Sequence, residues 1–192
     1  VTHYEEPTPL GLWQALDGAC RQARTGCDVL AIPHNSNESN GKMFRIEYPE
    51  GASVEDQRKL AELRRSFEPL FEIYQHKGDS ECKNGLSGVL GAPDEQCGFE
   101  KTLRKSVPDC GEGTGTGGTA RTGCQSRRDF VRYALIDGLR EQQRIGVNPI
   151  ALGLIASTDT HNGSPGYVEE SSFLGHRGLD DDTPEKQLGP GG

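Results

Sequence analysis

The stretch PLFEIYQHKGDSE (69–81) closes a hydrophobic run with a polar cluster that contains a histidine. DVLAIPHNSN (28–37) and GLIASTDTHN (153–162) show the same pattern. Each stretch is typical of a buried β-strand whose carboxyl end carries side chains of the metal-binding type. Parallel sheets and α/β barrels build their active sites where such strand ends meet. The pattern therefore predicts one site shared by the three stretches.

Helix signals alternate with these runs. Thr8 with Pro9, Ser53 with Asp56, and Ser126 with Asp129 are helix starts of the capping type. The first helix is predicted to run to Gly26, the second to Pro69 and the third to Gly146. The predicted strands are 28–33, 70–75 and 150–157. This α-β-α-β-α-β order predicts an α/β fold with parallel strands, interrupted by a long irregular insertion, about 78–125, before the last helix.

Charge and hydrophobicity limit the classes of partner. The formal net charge of -8 disfavours nucleic acid, whose phosphates require a basic surface. No apolar run is long enough to predict a membrane span. The expected partner is a small-molecule substrate.

The cysteines predict disulfides in an oxidising compartment, which favours a periplasmic or secreted protein. The chain has six cysteines and no CxxC pair, so a zinc ribbon is not expected. Four of them lie within the irregular stretch 82–124, where Cys82–Cys97 and Cys110–Cys124 are the first pairs to expect. Unpaired, half-buried thiols are the open alternative.

The third stretch has the strongest metal-binding pattern. Asp159 and His161 are two residues apart at a strand end, so their side chains point to the same side. A carboxylate and an imidazole so placed can share one divalent ion. His34 follows the first apolar run and is a third candidate ligand, although a histidine there can equally hydrogen-bond the backbone of a turn.

The second stretch combines acidic and basic groups. Glu72 and His76 share a face of the predicted strand, and a carboxylate buried in mid-strand is costly unless it is compensated. Glu72 therefore either binds metal, orients a metal-binding histidine or pairs with an arginine. Lys77 can stabilise negative charge on a substrate, or it can pair with Asp79 or Glu81. For Glu81 a catalytic role and a structural ion pair are equally open.

Three motifs together carry a family resemblance. AIPHNSNESNGKMF (31–44), EIYQHKGDSEC (72–82) and STDTHNGSPG (157–166) resemble the bacterial family of domain of unknown function 3604. That family is related to the PHP (polymerase and histidinol phosphatase) phosphoesterases among the amidohydrolase-like barrels. The resemblance implies a distorted (β/α) TIM-like barrel, of which residues 1–175 would be the C-terminal portion and 176–192 a polar tail.

The resemblance also implies a ligand set. His34 is similar to a later histidine of the PHP site, Asp159 and His161 to its terminal pair, and His76 to the remaining histidine. Two or three divalent ions, Zn, Mn or Fe, are implied for the intact protein. No HxH motif precedes these residues, so we expect the N-terminal half of the same protein to supply it. The candidate substrate-binding residues are Asn35, Asn37 and Asn162.

The expected function is that of a metal-dependent hydrolase, phosphoesterase-like, that uses a metal-activated water. Lys77 and Glu81 are the candidate catalytic side chains. The alternative is a catalytically inactive or truncated barrel module that acts in binding only. A serine hydrolase has little support, because the chain lacks a G-x-S-x-G motif.

Overall fold

The computed structural model describes residues 4–23, 25–98, 101, 107–116, 123–159 and 183. Within these residues the fold is of the mixed α/β class, with three α-helices and one three-stranded sheet. The elements are α1 (Pro9–Leu16), α2 (Val54–Phe67), β1 (Leu70–Gln75), β2 (Gly78–Asp79), α3 (Val131–Ile145) and β3 (Gly153–Ala156). The described residues show the α/β class, whereas the complete barrel stays a prediction. No helix among them is long and apolar enough to cross a membrane.

The first two helices begin at the predicted caps. The Thr8 hydroxyl accepts a hydrogen bond from the Gly11 N–H at 3.1 Å, and the Ser53 hydroxyl accepts one from the Asp56 N–H at 3.1 Å. α1 is shorter than predicted, because a π-helical turn, Asp17–Arg21, follows it. Local side-chain chemistry therefore determined where the helices start more reliably than where they end.

The third helix starts four residues later than its cap at Ser126 predicts. The Ser126–Asp129 capping box is present, but it closes a short 3₁₀ turn, Arg127–Asp129. α3 follows at Val131, and Gly146, with a φ of 85°, ends it as expected.

The central strand β1 has one parallel and one antiparallel neighbour. Gly153 N donates to Pro69 O at 2.8 Å and Ser157 N to Tyr74 O at 3.2 Å, so the partners advance in the same direction along β1 and β3. This confirms the predicted parallel pair. The two-residue strand β2 was not predicted, and it pairs antiparallel with β1. Gly78, at a φ of 86°, allows the chain to reverse immediately after β1.

Residues 28–33, predicted as a strand, do not form a strand of the sheet. Ala31 N donates to Phe67 O at 2.7 Å and Glu72 N donates to Pro33 O at 3.0 Å. These two bonds connect the segment to Phe67 and Glu72, but they do not form the continuous ladder of a strand pair. The expected burial is also wrong, because Leu30 is 50% exposed and all four residues of β3 are exposed.

The chain divides into two compact units. The first comprises Val1–Ile32, Ile46–Leu70 and Leu135–Gly153. Its apolar core contains Ala61, Ile145 and Val147. A buried ion pair lies in the same unit, where Arg64 Nε contacts Glu68 Oε2 at 3.0 Å and Trp13 Nε1 donates to Glu68 Oε1 at 3.2 Å.

The second unit comprises Pro33–Arg45, Phe71–Ala134 and Leu154–Gly192. Its apolar cluster is formed by Cys82, Leu86, Cys97, Phe130 and Tyr133. Phe44 and Phe71 pack edge to face with ring centroids 4.9 Å apart. This unit contains the ends of β1 and β3 and therefore the candidate site.

Three disulfides cross-link the chain. Cys82–Cys97 and Cys110–Cys124 are the pairs expected from the sequence, and both are confirmed. The third, Cys20–Cys27, was not anticipated as a pair. Two of the three lie in the insertion, so this segment is held by covalent links as well as by its small apolar cluster.

Candidate metal and catalytic site

The site forms where β1 and β3 end side by side. His76 and Lys77 occupy the turn between β1 and β2, and Asp159 follows β3. His76 N donates to Thr158 O at 3.3 Å, which brings the two chain segments together just past the strands. Asp159 has a φ of 54°, in the left-handed region. The parallel arrangement of β1 and β3 thus places residues from distant parts of the sequence at one edge.

Three side chains meet there, and we refer to His76, Lys77 and Asp159 as the strand-end cluster. His76 Nε2 lies 2.9 Å from Asp159 Oδ2. The Lys77 ammonium lies 2.8 Å from His76 Nε2 and 2.5 Å from Asp159 Oδ2. Gln75 Oε1 is 3.5 Å from the same ammonium and accepts the Lys77 backbone N–H at 2.8 Å. The side chain of His76 is only 3% exposed.

The contacts of the strand-end cluster determine which hydrogen-bonding roles His76 Nε2 can take. An ammonium group can only donate, so an Nε2 that accepts from Lys77 leaves the ring hydrogen on Nδ1, whereas an Nε2 that carries a hydrogen donates it to Asp159 Oδ2. Asp159 Oδ2 also accepts from Lys77. With the ring hydrogen on Nδ1, the 2.9 Å contact between His76 and Asp159 is an approach of two acceptors that face the same cation.

Glu72 links this cluster to His34 electrostatically. Burial raises the pKa of the half-buried Glu72 carboxyl above its ordinary value. Electrostatic interactions with His34 and Lys77 lower the pKa of Glu72, whereas the Asp159 carboxylate raises it further. Glu72 therefore lies within the electrostatic field of both predicted ligand groups.

His34 itself is exposed, and its backbone runs beside Glu72 through the Pro33 carbonyl. The structure thus brings His34, Glu72, His76 and Asp159 to neighbouring chain segments. Within the described part of the chain, however, no three His, Cys, Asp or Glu side chains form a group able to hold a metal ion. His161 and Asn162 lie outside the described residues. The multi-ligand metal centre stays a prediction.

The structural ion pairs considered for Lys77 do not form. Asp79 pairs instead with Lys101, and Glu81 pairs with Arg132 at 2.5 Å. The Glu81 side chain is exposed, and its interaction with Arg132 is of the surface type. The structure therefore separates the two candidate catalytic residues: Lys77 lies in the strand-end cluster, whereas Glu81 is held by an arginine of α3.

The two described asparagines differ in their surroundings. Asn37 is buried, donates from Nδ2 to the Lys77 carbonyl at 2.9 Å and accepts the Ser80 hydroxyl at Oδ1 at 3.1 Å. Its side chain therefore supports the turn that carries Lys77. Asn35 has a φ of 53°, and its buried Oδ1 has no hydrogen-bond partner among the described residues. This acceptor, next to His34, is available to a donor.

Sequence reasoning missed a second role of Asp129. Beyond its part in the capping box, Asp129 Oδ1 accepts from the Ser39 hydroxyl and from Gly41 N, both at 2.6 Å. Oδ2 accepts from Ser126 N at 2.9 Å. Complete burial raises the pKa of Asp129 to about 6 even though these donors oppose the shift. The capping signal identified the residue, but nothing local in the sequence showed that it also holds the loop after His34.

Comparison with known proteins adds one finding. Neither the curated proteins nor the solved structures contain a significant match to this chain. The profile of the family described as Protein of unknown function (DUF3604) matches residues 1–189, which include all three strand-end motifs. The chain therefore belongs to the DUF3604 family.

Proposed function

We propose that this protein is a metal-dependent hydrolase, phosphoesterase-like, whose metal site lies at the ends of β1 and β3. The observation that carries the proposal is the convergence of His76 Nε2 and Asp159 Oδ2, 2.9 Å apart, on a single cation. Two such atoms approach this closely when they share a proton or when a positive charge lies beside both. In this structure the positive charge is the Lys77 ammonium.

The donor set suits a divalent ion. A neutral imidazole nitrogen and a carboxylate oxygen are ligands for Zn, Mn and Fe. We propose that His76 and Asp159 bind the ion directly, that His34 and His161 complete the site, and that Glu72 either joins them or orients a histidine. When bound, such an ion lowers the pKa of a coordinated water to about 7 and so supplies a nucleophile at neutral pH.

The remaining side chains are proposed to act on the substrate. Lys77 would neutralise the anionic group of a phosphoester, and the unpartnered Oδ1 of Asn35 would accept a hydrogen bond from a hydroxyl group of the substrate. Asn37 would position Lys77 through the turn carbonyl. A direct role for Glu81 requires its release from Arg132, so Lys77 is the stronger candidate for a catalytic side chain.

This proposal extends to the whole protein. It places the described sheet in a PHP-like, amidohydrolase-like barrel, with ligands for a second or third ion from outside the described residues. The three disulfides support a periplasmic or secreted location.

One observation favours a second candidate function, that of a binding module without catalysis. Lys77 already neutralises the two groups that would bind the metal. If that contact were permanent, His76 and Asp159 would not bind a metal ion, and the domain would act in binding only.

A substrate screen of the full-length protein separates the two functions. Phosphate esters, sulfate esters, amides and lactones are incubated with the protein after addition of Mn, Zn or Fe, and metal content is measured on the purified protein. Asp159→Asn should lower both metal content and hydrolysis. Asp28→Asn, the same change at an exposed carboxylate, should alter neither. Unchanged metal content in Asp159→Asn would contradict the role of Asp159 as a ligand.

A further inference from the structure

We propose that Lys77 is an internal competitor of the metal ion, so that its ammonium and a divalent cation occupy the same pair of ligands in turn. This inference rests on the proposed function, since it concerns the same site. It goes further by assigning Lys77 a regulatory role in metal loading.

The geometry of the strand-end cluster is that of ligands around a shared cation. His76 Nε2 and Asp159 Oδ2 are the closest acceptors to the ammonium, at 2.8 and 2.5 Å, and Gln75 Oε1 is third at 3.5 Å. Each of the two closer atoms would also be a direct ligand of the metal. A metal bound to both at about 2.0–2.2 Å would leave no room for the ammonium, and the two positive charges would repel. Occupation by one cation therefore excludes the other.

The turn allows the ammonium to leave without rearrangement of the backbone. The Lys77 N–H is held by Gln75 Oε1 at 2.8 Å, and the Lys77 carbonyl is held by Asn37 Nδ2 at 2.9 Å. Both hydrogen bonds hold the main chain of Lys77, whose side chain is 23% exposed. A flexible four-carbon stem on a fixed backbone can swing its charge to the rim of the site.

Displacement would have a functional consequence. While Lys77 contacts the two ligands, its charge is used within the protein. Once a metal takes the ligands, the charge is released close to the metal and becomes available to an anionic substrate. Metal loading and anion binding would then support each other. The competition also predicts that removal of the Lys77 ammonium strengthens metal binding. If Lys77 were instead needed to build the site, its removal would weaken metal binding.

Calorimetric titration of Mn²⁺ into the metal-free, full-length protein tests this. We expect Lys77→Met to bind Mn²⁺ about tenfold more tightly than the natural protein, which corresponds to an ammonium that holds the ligands for about nine-tenths of the time. Lys59→Met is the matched control, because Lys59 is an exposed lysine of α2 with only 4.0 Å ion pairs. The affinity of the Lys59→Met protein for Mn²⁺ should equal that of the natural protein.

The outcomes separate the two proposals. Equal or weaker binding by Lys77→Met overturns the competition but leaves the metal site in place. Absence of Mn²⁺ and Zn²⁺ binding by all three proteins overturns the proposed metal site, and the competition with it. Lys77→Gln gives the same comparison if the Met variant does not fold, which thermal unfolding of each variant establishes. A rise in the rate of Lys77 acetylation when Mn²⁺ is added would support displacement, and a rate that does not change would contradict it.

Discussion

Asp129→Asn tests how the loop after His34 is held. The carboxylate accepts three hydrogen bonds, two at Oδ1 from Ser39 and Gly41 and one at Oδ2 from Ser126. An asparagine has one carbonyl oxygen, so its NH₂ group must face at least one of these buried donors. Leaving a buried donor unpaired costs about 1–3 kcal/mol. In the opposite sense, the substitution removes a charge that is buried at neutral pH.

The pH dependence separates these two contributions. Because the pKa of Asp129 is raised from 3.8 to about 6, the folded protein binds this proton more tightly than the unfolded chain does. The stabilisation from protonated Asp129 is therefore present below about pH 4 and is lost as the pH rises through about 6. The shift corresponds to about 3 kcal/mol. The stability of the natural protein relative to Asp129→Asn should thus fall by about 2 kcal/mol between pH 4 and pH 7.

Urea unfolding at several pH values measures the difference directly. The unfolding free energy of the mutant is subtracted from that of the natural protein at each pH. This difference cancels the titration of all other groups that the substitution leaves unchanged. Asp28→Asn is the control, because its exposed carboxyl has a lowered pKa, chiefly through the Val29 N–H, and should show no such fall. A stability difference that is constant with pH, or that grows as the pH rises, would show that the three donors outweigh burial and would refute the reasoning.

Two further substitutions test the packing of the separate units. Arg64→Met leaves the Glu68 carboxylate buried without its arginine, and burial already raises the pKa of Glu68. We therefore expect the free energy of unfolding, measured in urea, to fall by about 3–5 kcal/mol. Arg65→Met is the control, because Arg65 is exposed and its replacement should be nearly neutral. Equal effects of the two substitutions would contradict a role for the buried pair. Replacing Cys82 and Cys97 with alanine should lower the free energy of unfolding by about 3 kcal/mol, because the bond closes a loop with a sequence separation of 15. An unchanged unfolding midpoint would argue against that bond.

Local chemistry made part of the fold predictable. The caps at Thr8 and Ser53 depend on side chains within three residues, and the structure places both as expected. The antiparallel strand β2 was missed because it depends on a positive φ at Gly78. The segment 28–33 has the apolar pattern of a strand, but strand formation requires a continuous ladder with a partner, which an amino-acid pattern alone does not reveal.

The candidate site shows the same division. The meeting of His76 and Asp159 follows from parallel strands, whose carboxyl ends lie at one edge, and it could be predicted. The contact of Lys77 with Asp159 joins residues 82 positions apart, and the sequence suggested nearer partners, Asp79 and Glu81. Those carboxylates are occupied by Lys101 and Arg132 from other segments. Competition among several possible ion pairs is decided by three-dimensional packing, so it could not be predicted from spacing.

The central claim is that His76 and Asp159 bind one metal ion. Diffraction from crystals of the full-length protein grown with Mn²⁺, recorded at the manganese absorption edge, tests it most directly. The account predicts an anomalous peak within bonding distance of both His76 Nε2 and Asp159 Oδ2, with the Lys77 ammonium displaced from them. A fully occupied manganese elsewhere, with Lys77 still in contact with both atoms, would contradict it.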